Sequence, residues 1–267
     1  MLDKRSKYLR KLILRMIEVD KRGHLGSAMS IVEICRVLYD EILNYKSNNP
    51  DYKNRDIFIL SKGHGCLALY ALLADKGFFP KKELDTFCKS DSILGGHPEY
   101  GKIPGVEISS GALGHGLPIG VGMAIAIKLK KQSRGVYVLT GDGEINEGST
   151  WEAAMAASKH SLYNLTILVD YNKMQSYGKT SQVMNLEPLA DKWKSFGFQV
   201  SEVDGHNINE LKTSLTKLNS NIQKPKVVIC HTVKGKGIPL AENNPLWHHK
   251  SKITDQEINQ LYTFLEN

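Results

Sequence analysis

Gly141-Asp142-Gly143 and Asn172 are the residues of this sequence best suited to hold a metal ion. A Gly-Asp-Gly triplet by itself is a common turn. Here the triplet follows the β-branched run Val136-Tyr137-Val138-Leu139-Thr140, and Asn172 follows the next such run, Thr166-Ile167-Leu168-Val169-Asp170. Residues 144 to 171 leave room for one helix between them, so the Asp142 carboxylate and the Asn172 amide oxygen reach one hard cation together. Magnesium, with calcium or manganese as substitutes, prefers such oxygens and shares its shell with phosphates. With a nearby main-chain carbonyl, the set leaves positions for a diphosphate, which the flanking glycines let the backbone approach and meet with N–H groups.

Three histidines add a second chemistry. His24, His64 and His97 each stand beside glycine, in Gly23-His24, Gly63-His64-Gly65 and Gly96-His97, and so lie in separate loops. Imidazoles with pKa near neutrality suit proton movement. For His115, His160, His206 and His231 the plainer reading, a satisfied polar group, is kept.

The elements that must position these residues read as an α/β fold, a parallel sheet flanked by helices. Candidate strands are 56–60, 136–140, 166–170, 198–201 and 227–230. The stretch Gly114 to Lys131 is apolar on nearly every side, as a helix buried under a sheet would be. Ser149 with Glu152 reads as a capping box for a helix through Ala157. In such sheets ligands sit beyond the carboxyl ends of the strands, where Ser61-Lys62-Gly63-His64-Gly65, Gly141-Asp142-Gly143 and Tyr171-Asn172 all fall.

Composition narrows the class. With 267 residues, 41% of them hydrophobic, the chain can bury one large core, and it reads as a single domain over 1–267. It has no run of eighteen apolar residues, which predicts no membrane partner and a cytoplasmic protein. The basic segment with Lys4, Arg5, Lys7, Arg10, Lys11 and Arg15 also holds Asp3, Glu18 and Asp20, and reads as a first helix with a solvated charged face. Cys35, Cys66, Cys88 and Cys230 are too dispersed for a zinc ribbon or a disulfide framework. The net charge of +7 is spread along the chain without a nucleic-acid module, so it reads first as solvated surface, with anionic small molecules or an acidic partner next.

Together these motifs resemble the thiamine-diphosphate enzymes, and transketolase in particular. The likeness runs from Gly23-His24-Leu25-Gly26 to Trp247-His248 and takes in Gly96-His97-Pro98-Glu99, Gly111-Ala112-Leu113-Gly114-His115-Gly116, Gly141 to Gly148, Trp151-Glu152-Ala153-Ala154 and Asp204-Gly205-His206. It implies the thiamine-diphosphate-binding fold and transfer of a two-carbon ketol unit from a ketose or its phosphate to an aldose. It also places Asp142, Asn172 and the Met174 carbonyl on the metal. Gly143 and His64 then stand at the diphosphate, and Gly111, Leu113 and Gly114 lie against the cofactor. His24 and His97 match histidines that contact the donor sugar, and His248, or alternatively His249, one near the acceptor. Glu147 matches an acid buried at the subunit interface, coupled to a catalytic glutamate of the partner.

Two positions depart from the family pattern: Leu25 where proline is frequent, and His115 where glutamine is. The larger departure is length, since transketolases continue into a pyrimidine-binding domain. The resemblance therefore implies an N-terminal, diphosphate-binding subunit that works in an α2β2 assembly with a C-terminal transketolase subunit. A deoxyxylulose-phosphate synthase, the alpha subunit of a 2-oxo acid dehydrogenase and a non-catalytic cofactor-binding regulator are the alternatives.

Overall fold

The computed structural model describes residues 2–217 and 223–266. Its strands are β1 (Ile57–Leu60), β2 (Val136–Gly141), β3 (Leu165–Tyr171), β4 (Met174–Gln175), β5 (Gly178–Lys179), β6 (Gln199–Asp204) and β7 (Lys226–His231). Five form one sheet in the order β1-β2-β3-β7-β6, with every pair parallel. All five carboxyl ends therefore open on the same edge. The small antiparallel hairpin β4-β5 stands just beyond β3.

The β-branched runs are nearly unbroken because both faces of the sheet are covered. Phe58, Leu60, Tyr137, Leu139, Leu168 and Val228 point into one core, which is closed by α1 (Lys4–Asp20), α2 (Leu25–Met29), α3 (Val32–Val37) and α4 (Cys66–Asp75). Their neighbours Ile57, Ile59, Val136, Val138, Ile167, Val169, Val227 and Ile229 point into the other, under α5 (Gly116–Leu129) and α6 (Gly148–Lys159). The period-2 alternation of side chains along each strand makes that division. All five expected strands are present, most extended by a residue or more.

Three local expectations are corrected. The α5 helix buries only one face, with Leu117, Gly120, Val121, Ala124 and Ile127, and leaves Ile119 and Leu129 exposed. No capping box forms at α6. Glu147 takes the cap position without a side-chain bond, and the Ser149 hydroxyl instead donates to the Gly114 carbonyl at 2.7 Å. The first helix is present, capped by the Asp3 carboxylate on the Ser6 N–H, but Arg10 lies on its buried side.

Arg10 is sealed from solvent and grips Glu33 with two bonds, 2.5 and 2.9 Å, while also donating to the carbonyls of Met29 and Lys236. Arg10 outweighs the burial that would otherwise raise the Glu33 carboxyl, and holds it at about 2. Removing one member of such a pair strands a buried charge. Glu33→Ala should therefore lower unfolding free energy by about 3–5 kcal/mol in urea titrations, and Arg10→Met/Glu33→Leu by much less.

Candidate active site

Four loops meet at the carboxyl edge of the sheet, and two buried carboxylates tie them together. Asp170, near the end of β3, accepts from Lys62, from Ser30 at 2.7 Å, from Asn172 at 2.9 Å and from Thr232. Burial alone would raise this carboxyl, but the Lys62 ammonium and these donors hold it below its ordinary range. Glu144 accepts from the Ser61 hydroxyl, from the Gly114 N–H at 3.1 Å and from the Gly141 N–H at 3.0 Å, binding the loops after β1 and β2 to the one before α5.

Glycine is required where these loops cross. A Cβ on Gly114, whose φ is +76°, would lie 2.5 Å from Glu147 Cβ, and one on Gly111, at φ +134°, would lie 2.7 Å from the His97 ring.

The loops enclose a cleft of about 380 Å³. His24, His64, His97, His248, Gly111, Leu113, Asp142, Gly143, Glu147 and Met174 line it. Gly114 and Asn172, also singled out in the sequence, are buried and do not line the cleft itself. Asn172 is nonetheless close, since its Oδ1 accepts from the Met174 N–H at 3.1 Å. Asp142 accepts from the Gly143 N–H at 2.7 Å and the Lys173 N–H at 2.5 Å, so the Gly-Asp-Gly turn and the 172–174 loop are in direct contact.

The oxygen donors sit in a setting that calls for a cation. Burial and the nearby Asp170 charge push the Asp142 carboxyl up to about 7, which a divalent ion would reverse. Among the described residues no group of three or more histidine, cysteine or acidic side chains is placed to hold a metal ion, in this cleft or elsewhere. Two buried polar atoms on the cleft wall, Gln175 Nε2 and His248 Nδ1, have no hydrogen-bond partner, as groups awaiting a polar ligand would.

The imidazoles form one cluster, with ring centroids of His24 lying 5.4 Å from His64, 6.3 Å from His97, 5.7 Å from His248 and 4.5 Å from His249. Burial, then the neighbouring rings and lysines, pushes His24 down to about 4. Burial with Lys234 takes His248 to about 3, and burial also lowers His64 and His97. All four are neutral at pH 7. His248 faces the main cleft, with Nε2 2.9 Å from the Ser176 hydroxyl, whereas His249 lines an adjoining compartment. His206 and His231 are satisfied as read, by Glu33 and Glu202.

Glu147 is exposed in this chain, and its carboxylate makes no hydrogen bond among the described residues.

Sequence reasoning missed Lys234 and the β4-β5 hairpin. Lys234 is buried and donates to the Met174 carbonyl at 3.1 Å, the oxygen expected on the metal. Burial, then the charge of Lys62, drops its pKa to about 8. Its flanks in Lys234-Gly235-Lys236-Gly237 were the available signal, the same glycine neighbourhood that marked the histidines. The hairpin brings Gln175, Ser176 and Tyr177 to the wall, and a two-residue strand is too short to show in hydrophobic periodicity.

A parallel α/β sheet with a Gly-Asp-Gly turn and an asparagine loop in contact at its carboxyl edge defines a thiamine-diphosphate-binding domain. Residues 3–265 match the family described as transketolase, thiamine diphosphate binding domain. An apulose-4-phosphate transketolase subunit of Actinobacillus succinogenes is 45% identical over 96% of this chain and 92% of its own length. The 6-deoxy-6-sulfo-D-fructose transketolase subunit SqwG of Clostridium sp. is 39% identical over 96% of this chain and 92% of its own. The solved transketolase from Leishmania mexicana superposes with a TM-score of 0.92 at 30% identity, covering 100% of this chain and 42% of that one. The chain belongs to the transketolase family, whose reaction is ketol transfer on thiamine diphosphate.

Because the folded state keeps His24 neutral down to about 4 against an ordinary 6.5, the unfolded chain binds the extra proton between those values. Stability contributed by neutral His24 is complete above pH 6.5 and is lost as pH falls toward 4. Thermal melts from pH 7 to 4.5 should show His24→Asn losing less stability on acidification than the parent; parallel curves would contradict the burial argument.

Proposed function

We propose that this chain is the diphosphate-binding subunit of a two-component, cytoplasmic transketolase, moving a two-carbon ketol unit between sugars that carry an anionic group. The observation that carries the reading is the meeting, in one cleft, of the Asp142 turn, the 172–174 loop and a cluster of neutral histidines. Residues 1–267 act as a single thiamine-diphosphate-binding domain.

Asp142, Asn172 and the Met174 carbonyl would hold magnesium, with Lys234 giving up that carbonyl to meet diphosphate oxygens instead. The Gly143 N–H and His64 serve the diphosphate as well, and the loop from Gly111 through Leu113 to Gly114 packs against the cofactor. Bound thiamine diphosphate supplies the electron sink that lets the carbon–carbon bond break.

The protein's part is to orient the sugar and move its protons. His24 and His97 hold the donor's hydroxyls, and His248 serves the acceptor. Neutral imidazoles accept a proton at one nitrogen and donate one at the other, which a cationic cluster could not do. This requirement favours ketol transfer over 2-oxo acid decarboxylation.

A partner is supported on two grounds. Relatives covering almost the same length are named as subunits, and the exposed Glu147 lies beside exposed Leu113, with Ile119 and Met155 exposed on α5 and α6. A C-terminal transketolase subunit with the pyrimidine-binding domain would cover that side, in an α2β2 assembly. The anionic substrate class is supported by relatives named for a sugar phosphate and a sulfo-sugar, and by the net charge of +7.

Two experiments test the reading. Calorimetry on the assembled enzyme should find magnesium-dependent thiamine diphosphate affinity abolished in Asp142→Ala, and unchanged affinity would sink the metal assignment. The purified chain alone, given magnesium, cofactor and ketose donors, should transfer no ketol unit and gain activity on adding the partner; turnover without a second polypeptide would refute the two-component reading.

A further inference from the structure

A second compartment of about 170 Å³ opens beside the cleft, and His24, His64 and His97 line both. The three imidazoles are common to the walls of both spaces. The new space has a mixed wall. Leu67, Phe87 and Cys66 present apolar surface, while Asp20 and Arg22 supply charge.

Among the described residues Arg22 is the only lysine or arginine that lines it, and burial lowers the pKa of His24, His64 and His97. The guanidinium has one partner among the described residues. Its Nε donates to Asp20 Oδ2 at 2.9 Å, and Asp20, the last residue of α1, has a side chain only 17% exposed. The loop beneath is pinned, with the Gly23 N–H donating to the Lys250 carbonyl at 3.0 Å and the Lys250 N–H donating back at 3.2 Å. Both terminal nitrogens of Arg22 lack partners among the described residues, and 58% of the side chain is exposed. An arginine held through Nε keeps a two-pronged edge for a tetrahedral oxyanion, the geometry in which guanidinium outperforms ammonium.

We propose that this compartment receives the far end of the sugar substrate and that Arg22 selects an anionic group there, a phosphate or a sulfonate. The inference rests on reading the cleft as the ketol-transfer site. Arg22 would then be a specificity residue, remote from the bond that breaks.

The test is calorimetric, on the complex of this chain with its partner, using one ketose in phosphorylated, sulfonated and unsubstituted forms. Arg22→Gln should weaken one or both anionic forms by roughly ten- to a hundred-fold, the loss expected for a bidentate charge-assisted contact, and leave the unsubstituted form unchanged. Arg22→Lys should recover only part of that loss. Whichever anionic form loses more is the one the site is built for. Equal losses for all three ketoses, or no loss for either anionic form, would overturn the assignment. Ketol transfer from the unsubstituted ketose, measured on the same Arg22→Gln complex, judges the cleft separately: its absence in the parent complex as well would count against the function, whatever the binding data say about Arg22.

Discussion

The buried pair of Lys62 and Asp170 is the constraint on which the site depends. Lys62 leaves the end of β1 and Asp170 stands near the end of β3, two strands away, so their contact spans β2 and fixes the loops on either side of it. Asp170 also accepts from Ser30, Thr232 and Asn172, which adds α2, the exit of β7 and the asparagine loop to the same anchor. Such a pair is a weak source of net stability, because desolvating two charges costs about what their attraction returns. What it supplies is geometry. Neither partner can leave without stranding the other, so the loops have one arrangement.

The same charges set the electrostatics of the cleft. Lys62 and Lys234 face the histidines, and a buried cation beside an imidazole disfavours a second positive charge. Burial is the larger cause of the neutral histidines, and the lysine charges add to it. The outcome is a cleft whose imidazoles stay neutral beside buried lysines. Asp142 is the counterpart on the acidic side, raised by burial and Asp170 in the one place where a divalent cation would relieve it.

How much of this was legible in the sequence follows from the range of each interaction. The five strands were readable because burial on both faces forces continuous β-branched runs, and the strand ends then located the loops. Glycine beside histidine or aspartate revealed where backbone must come close. Long-range polar ties were not readable: nothing in the spacing of Glu144, Ser61 and Gly114 says that one carboxylate holds all three. Arg10 failed for the same reason. A basic residue in a charged helix is indistinguishable from its solvated neighbours until Glu33, from another helix, is beside it. The Ser149 capping box was a local pattern overridden by a distant acceptor, the Gly114 carbonyl.

That last bond also explains why the cleft is rigid on one side and open on the other. Gly114 is fixed from below by the Glu144 carboxylate on its N–H and from beside by the Ser149 hydroxyl on its carbonyl, so its loop is held by groups of this chain alone. One residue earlier, Leu113 turns outward, and Glu147, which crowds Gly114 too closely for any side chain there, leaves its carboxylate in solvent. Apolar Ile119 and Met155 extend the exposed surface over α5 and α6. A domain that needed only its own core would bury these side chains or make them polar, as it does with the equivalent charged faces of α1 and the helix Ile208–Lys217. Rigid backbone behind an exposed, partly apolar front is what a docking surface requires: the loop is already in place, so association costs little reordering, and the apolar side chains gain from being covered.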